Sequence, residues 1–212
     1  EAIAFTQLRP DHSADLPAYI GAAQSDTREQ RLTIMGPTGD GAANPSTREL
    51  IERLFGPQGV YPYLADAFKP RSSLGYRVRS IDVPASGSKR WARYQTERVK
   101  MTAIPVHHGD IPALAWRIEI DGQSIVITGS FNNSKNLVAS FAQDADALVV
   151  SHAIPENSRG VLRDLYARPS QLGRIADQAE ARMMILGHRN VRTRGRESLS
   201  RNAIEENYDG TI

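Results

Sequence analysis

Short apolar runs and amphipathic stretches alternate irregularly along this chain around one strong hairpin signal, and that order limits the folds open to it. The segments 2–8, 32–36, 76–84, 96–106, 115–120, 124–128, 147–150 and 183–186 are strand-like. Asp121-Gly122, between two of them, is a tight-turn dipeptide. A helix is expected from Ser13, as N-cap, through Leu16 and Ile20. Another opens at Asn44-Pro45 and carries Leu50, Ile51, Leu54 and Phe55 on one face. Further helices are expected over 133–143, 169–179 and 198–206. The stretch 56–75, rich in Gly, Pro and Tyr, reads as an insertion or helical hairpin. Sheets with helices packed outside satisfy this order, and 212 residues without a repeat are read as one domain over 1–212.

Composition narrows the function classes. Hydrophobic residues make up 40% and charged residues 24%, and no apolar run is long enough to span a bilayer, so a soluble protein without a membrane partner is expected. The compartment, cytoplasmic or periplasmic, is left open. The pI is about 9.0 but the net charge is only +2. Nucleic acid therefore gains no general electrostatic support, and any basic effect must be local. With 0 cysteines, disulfides, thiolate metal sites and Cys nucleophiles are excluded. Glu1 leads straight into an apolar stretch, as expected of a processed or truncated chain that has lost a signal peptide or other leader.

Thr6-Gln7-Leu8-Arg9-Pro10-Asp11-His12-Ser13-Ala14-Asp15-Leu16-Pro17 resembles the T-H-x-H-x-D-H signature of the metallo-β-lactamase superfamily. Further segments follow in the family's order. Ile34-Met35-Gly36-Pro37-Thr38-Gly39 resembles its GPxG turn, and Pro105-Val106-His107-His108-Gly109 its third-histidine motif. Ile125 to Ser130 resembles the strand ending in the bridging aspartate. Asp146 to Ala153 fits the next strand, and Ile185-Leu186-Gly187-His188-Arg189 the strand ending in the last histidine. The resemblance covers nearly the whole chain and is nearest the ribonuclease Z, arylsulfatase and phosphodiesterase-like branch. It implies an α/β fold, the αββα sandwich of two mixed sheets with helices outside. The strands that ordinarily precede the first motif are absent from this sequence. They are expected either outside it or replaced by another chain, as in a homo-oligomer, because a bare sheet edge is a liability.

In that family two metal ions about 3.5–4 Å apart hold and acidify a water. The resemblance implies a first ion on the two histidines of H-x-H and the third histidine, here Gln7, Arg9 and His108. It implies a second on Asp11, His12 and His188, with Ser130 where an aspartate bridges both. Gln is a poor zinc ligand and Arg cannot bind a cation, so the two-metal centre is expected to be degraded. Arg9, or its salt bridge to Asp11, is expected to fill the space of the first ion, since one fixed charge of each sign balances without metal. Asp11, His12 and His188 can still form a site for one Zn, Mn or Fe ion, or persist as a polar cluster.

The functional expectation is therefore a mononuclear hydrolase of anionic, phosphodiester-type esters. The alternative is a non-catalytic relative that keeps the cavity to bind a small anionic ligand or a partner. Arg192 and Arg194, in the arginine-rich run after His188, and His152 are candidates to bind substrate; a solvated loop and a core histidine are the plain alternatives. Arg71, Arg77, Arg79, Lys89 and Arg90 could extend a basic face. His107 reads as a loop residue and Asp40 as a turn residue. Tyr61, Tyr63, Phe68 and Tyr76 either wall a pocket or pack the insertion on its own domain. No G-x-S-x-G elbow supports a serine triad.

Overall fold

A computed structural model describes residues 1–25, 27, 30–70 and 76–212. The chain divides into two compact units, Glu1–Pro84 and Ala85–Ile212.

The first unit is built on three parallel strands in the order β1 (Ala2–Ala4), β2 (Leu32–Pro37), β3 (Val78–Val83). Every residue of the central β2 is buried, the continuous apolar run expected of a strand covered on both faces. Helices α1 (Pro10–Ser13) and α2 (Leu16–Ala22) follow β1, and α3 (Thr47–Phe55) follows β2. Ser13 does not cap α2 as expected: its hydroxyl donates to the carbonyls of Leu8 and Arg9, and the N-cap residue is Asp15. The start of α3 is fixed by a capping box between Ser46 and Glu49. Ile20, Leu32, Ile34, Ile51, Phe55 and Leu64 form the core of this unit.

The 3₁₀ segment Pro62–Phe68 occupies the expected insertion. Phe68 stacks on Phe55 with centroids 5.1 Å apart, Tyr61 lies 6.2 Å from the same ring, and the Tyr76 hydroxyl donates to the Ile20 carbonyl at 2.9 Å. These aromatics pack the insertion onto its own unit; Tyr63 is 69% exposed. Arg71 and the end of the insertion lie outside the described residues.

The second unit carries a six-stranded sheet in sequence order: β4 (Trp91–Gln95), β5 (Val99–Val106), β6 (Ala113–Ile120), β7 (Gln123–Ile127), β8 (Ala147–Ser151) and β9 (Met184–Gly187). Strands β4 to β7 pair antiparallel, and β8 and β9 add in parallel. The β6–β7 turn has positive φ at both Asp121 (49°) and Gly122 (82°), the left-handed pair that matches strand twist. Helices α4 (Val138–Phe141), α6 (Pro169–Gln178) and α7 (Glu197–Glu205) cover one face, over a core that includes Ile104, Val126, Leu148, Leu172 and Ile204. A further short helix, α5 (Val161–Leu165), precedes α6.

Two sequence expectations are corrected here. The helix over 133–143 shrinks to α4, because Asn133 (φ 62°) and Asn136 (φ 50°) take the left-handed conformation, which a right-handed helix cannot contain. Strand β4 lies in a segment given no strand by its sequence; its burial departs from simple alternation because the register shifts between Trp91 and Tyr94.

Candidate functional site

Strand direction gathers the chemistry-bearing residues within each unit. In the first unit all three strands run the same way, so the loops leaving β1 and β2 emerge at one end of the sheet. These loops carry Thr6 to His12 and Thr38-Gly39. In the second unit β5, β7, β8 and β9 share a direction. Their carboxyl ends deliver His107-His108, Gly129-Ser130, His152 and His188 to one end of the sheet. Carboxyl ends of strands are where α/β sheets hold their ligands, since the loops there diverge and leave a crevice.

In the first unit, Gln7 is 1% exposed and its Nε2 donates to His12 Nε2; Gln7 Oε1 is buried without a hydrogen-bond partner among the described residues. His12 Nδ1 lies 3.3 Å from the Thr6 hydroxyl. Arg9 Nε lies 3.4 Å from Asp11 Oδ1, and Asp11 Oδ2 lies 3.7 Å from His12 Nε2. Gln7, Arg9, Asp11 and His12 are thus one connected group. Asp40 stands apart: its carboxylate accepts from the Asn44 side chain and from the Ala42 and Asn44 backbones, which hold it below the usual carboxylate range.

In the second unit, His108 is fully buried and packs edge-on to Tyr166, with centroids 5.1 Å apart. Its Nδ1 donates to the Leu165 carbonyl at 2.7 Å, which leaves Nε2 as the acceptor nitrogen of the ring. The next residue must be glycine: Gly109 has φ 59°, and a Cβ there would meet the Leu165 side chain at 2.8 Å. His107 is half-buried, and its carbonyl accepts from the Asn132 N–H. Ser130 is buried, with its hydroxyl 3.4 Å from that of Ser151. His188 is exposed and takes φ 49°, a left-handed conformation uncommon outside glycine and concentrated at functional turns.

His152 is 1% exposed, and its Nε2 is taken by the Ser200 hydroxyl at 2.7 Å. Burial pushes its pKa below the ordinary value of 6.5; Glu197 partly opposes that shift and Arg189 adds to it. Around it, Thr193 Oγ1 donates to the His152 carbonyl at 2.8 Å and Asn190 Nδ2 to the Ala153 carbonyl at 3.0 Å. This network joins β8, the loop after β9 and α7. Asn190, Thr193 and Ser200 carry no distinctive signal in the sequence, because a hydroxyl or amide in a polar segment looks like any other until the fold buries it. The spacing Asn190-x-x-Thr193 is the one available hint.

The expected basic face is divided between the units. Arg77 and Arg79 belong to the first, where Arg79 Nε donates to Thr33 Oγ1 at 2.9 Å. Lys89 and Arg90 belong to the second, where the Arg90 guanidinium lies 5.2 Å from the centre of the Phe141 ring. Among the described residues, no helix is long and apolar enough to cross a membrane.

No family model matches the sequence. Ribonuclease Z of Pediococcus pentosaceus is 25% identical over 232 residues, covering 93% of this chain and 73% of its own length. Among solved structures, human tRNase Z, short form, superposes with a TM-score of 0.68 at 16% identity, over 91% of this chain and 73% of that one. The metallo-β-lactamase fold protein YhfI from Bacillus subtilis superposes with a TM-score of 0.67 at 17% identity, over 100% and 72%. Two mixed sheets are expected from the sequence, but the three-stranded sheet is wholly parallel and only the six-stranded one is mixed; these sheets with their helices make a fold shared with these proteins. The chain has the metallo-β-lactamase fold.

Proposed function

We propose that this chain is a hydrolase of anionic, phosphodiester-type esters, working with at most one divalent ion (Zn, Mn or Fe) on Asp11, His12 and His188. The reading is carried by the residues in the first-ion positions. Gln7 directs its amide N–H at His12, and Arg9 sets a cation against Asp11. Neither group suits a metal there: a guanidinium cannot ligate, and a carboxamide whose N–H is turned inward is a poor donor. With Ser130 in the bridging position, a second ion would also lack the carboxylate that offsets its charge. The donor chemistry of one carboxylate and two imidazoles fits a single ion.

When bound, that ion would supply a water acidified toward neutral pH. The chain's own groups would do the rest. Asp11 accepts the proton of the attacking water, and Arg192 and Arg194 bind the ester and offset its developing negative charge. His108, held in one tautomer by Leu165, presents an acceptor nitrogen toward the same end of its sheet. His152, buried and bonded to Ser200, holds the arginine loop in place. The ribonuclease Z relatives support phosphodiester chemistry.

A second reading, a non-catalytic binder of a small anion, is favoured by the Arg9–Asp11 pair, which already neutralises the carboxylate that a metal would need. Metal analysis of the purified chain, with hydrolysis of a chromogenic phosphodiester, separates the two. The hydrolase reading expects about one equivalent of metal, with metal and activity lost together in Asp11→Ala. Metal-free protein whose melting temperature ignores chelator, and which hydrolyses nothing, favours the binder. Two equivalents of metal would overturn both.

A further inference from the structure

The loop from His188 to Arg196 concentrates positive charge without matching negative charge. Arg189 is paired with Glu197 at 3.1 Å, but among the described residues Arg192, Arg194 and Arg196 have no carboxylate partner. All three are exposed. The chain as a whole is nearly balanced, with 26 lysines and arginines against 24 acidic residues. Three cations left unpaired so close in sequence repel one another and are relieved by a bound anion.

The loop is also rigidly held, unlike an ordinary solvated turn. Thr193 is fully buried in an otherwise exposed run, and its hydroxyl donates to the His152 carbonyl at 2.8 Å. Asn190 works in two directions. Its Nδ2 donates to the Ala153 carbonyl at 3.0 Å, and its Oδ1 accepts from the Arg192 backbone N–H at 2.9 Å. The Arg194 N–H donates to the Asn190 carbonyl, and the Arg196 N–H to that of Thr193. The backbones of all three unpaired arginines are therefore fixed by Asn190 or Thr193, and through them to the end of β8. His152 beneath the loop is bonded in turn to Ser200 of α7. Fixing the backbone before binding removes part of the ordering cost that three flexible side chains would otherwise impose on a ligand.

We propose that this loop is a preorganised phosphoryl-binding site, in which Arg192, Arg194 and Arg196 contact the anion and Thr193 and Asn190 act as positioning residues. The inference rests on the phosphoester reading for its ligand class, but not on a metal. Guanidinium forks match tetrahedral oxyanions in pairs, so a phosphoryl group with several oxygens suits them better than a halide or a lone carboxylate.

The test is binding of inorganic phosphate to the full chain in chelator, followed by thermal shift and calorimetry against chloride at equal ionic strength. Phosphate should stabilise the wild type, and a variant with all three arginines changed to glutamine should lose that response. Thr193→Val, which removes the hydroxyl at constant volume, should weaken phosphate about tenfold with the arginines intact. Thr193→Ser should restore binding, which a purely volumetric role would not do. Phosphate binding retained in the triple variant, or equal in Thr193→Val and wild type, overturns the proposal. Should Thr193→Val fail to fold, the triple variant and Asn190→Ala decide the matter in the same way. A chain that takes up no metal and hydrolyses nothing, yet binds phosphate as described, ends the hydrolase reading and leaves this one standing. Hydrolysis with metal but no arginine-dependent phosphate binding does the reverse.

Discussion

At the residue scale, the informative positions are those where a side chain has a partner that metal ligation would exclude. Gln7 is bonded to His12, and Arg9 is paired with Asp11. The residue types and the Arg9–Asp11 pair were legible in the sequence; the Gln7–His12 bond was not, because it depends on how the turn after β1 folds back on itself. His152 yields a prediction at this scale. Its folded pKa lies below the ordinary 6.5, mainly through burial. As pH falls below 6.5, the unfolded chain takes up this proton before the folded chain does. The stability involved is therefore present above the ordinary histidine range and is lost as pH falls toward the depressed value. His152→Gln keeps a hydrogen-bonding end facing Ser200 but cannot titrate. Melting temperature plotted against pH should fall less steeply for this variant below 6.5 than for wild type; parallel curves would remove His152 from the acid response.

At the element scale, local chemistry sets boundaries that periodicity left vague. Helix α3 was placed from its apolar spacing, but its first turn is set by the capping box: Ser46 Oγ accepts from Glu49 N at 3.2 Å, and Glu49 Oε2 accepts from Ser46 N at 2.6 Å. Ser46→Ala should cost about 1 kcal/mol, and Ser46→Gly only a few tenths, measured by denaturant midpoint. Equal losses would mean that the box contributes little. The hairpin at Asp121-Gly122 was readable because two adjacent left-handed residues accept few other sequences. The segment after Ser130 was misread for a related reason. Asn133 and Asn136 tolerate the left-handed conformation without demanding it, so only the folded chain shows that they adopt it.

At the scale of the whole molecule, each unit has its own core, and both tryptophans, Trp91 and Trp116, belong to the second. Tryptophan fluorescence therefore reports that unit directly. Leu148→Ala, at a fully buried position in the same unit, should lower its fluorescence-detected stability by about 2–5 kcal/mol; a loss well under 1 kcal/mol would mean that the site collapses around the cavity. The sequence by itself determined every strand segment except β4, and that Arg9 carries a cation where Asp11 carries an anion, since these follow from short-range periodicity and side-chain chemistry. Only the tertiary structure decided that β5, β7, β8 and β9 run the same way and deliver their loops to one end of the sheet. It alone decided that Thr193 and Asn190 tie an arginine-rich loop to the end of β8. Strand direction and buried hydrogen bonds join residues far apart in the chain, and no local pattern encodes which distant partner a polar group will meet.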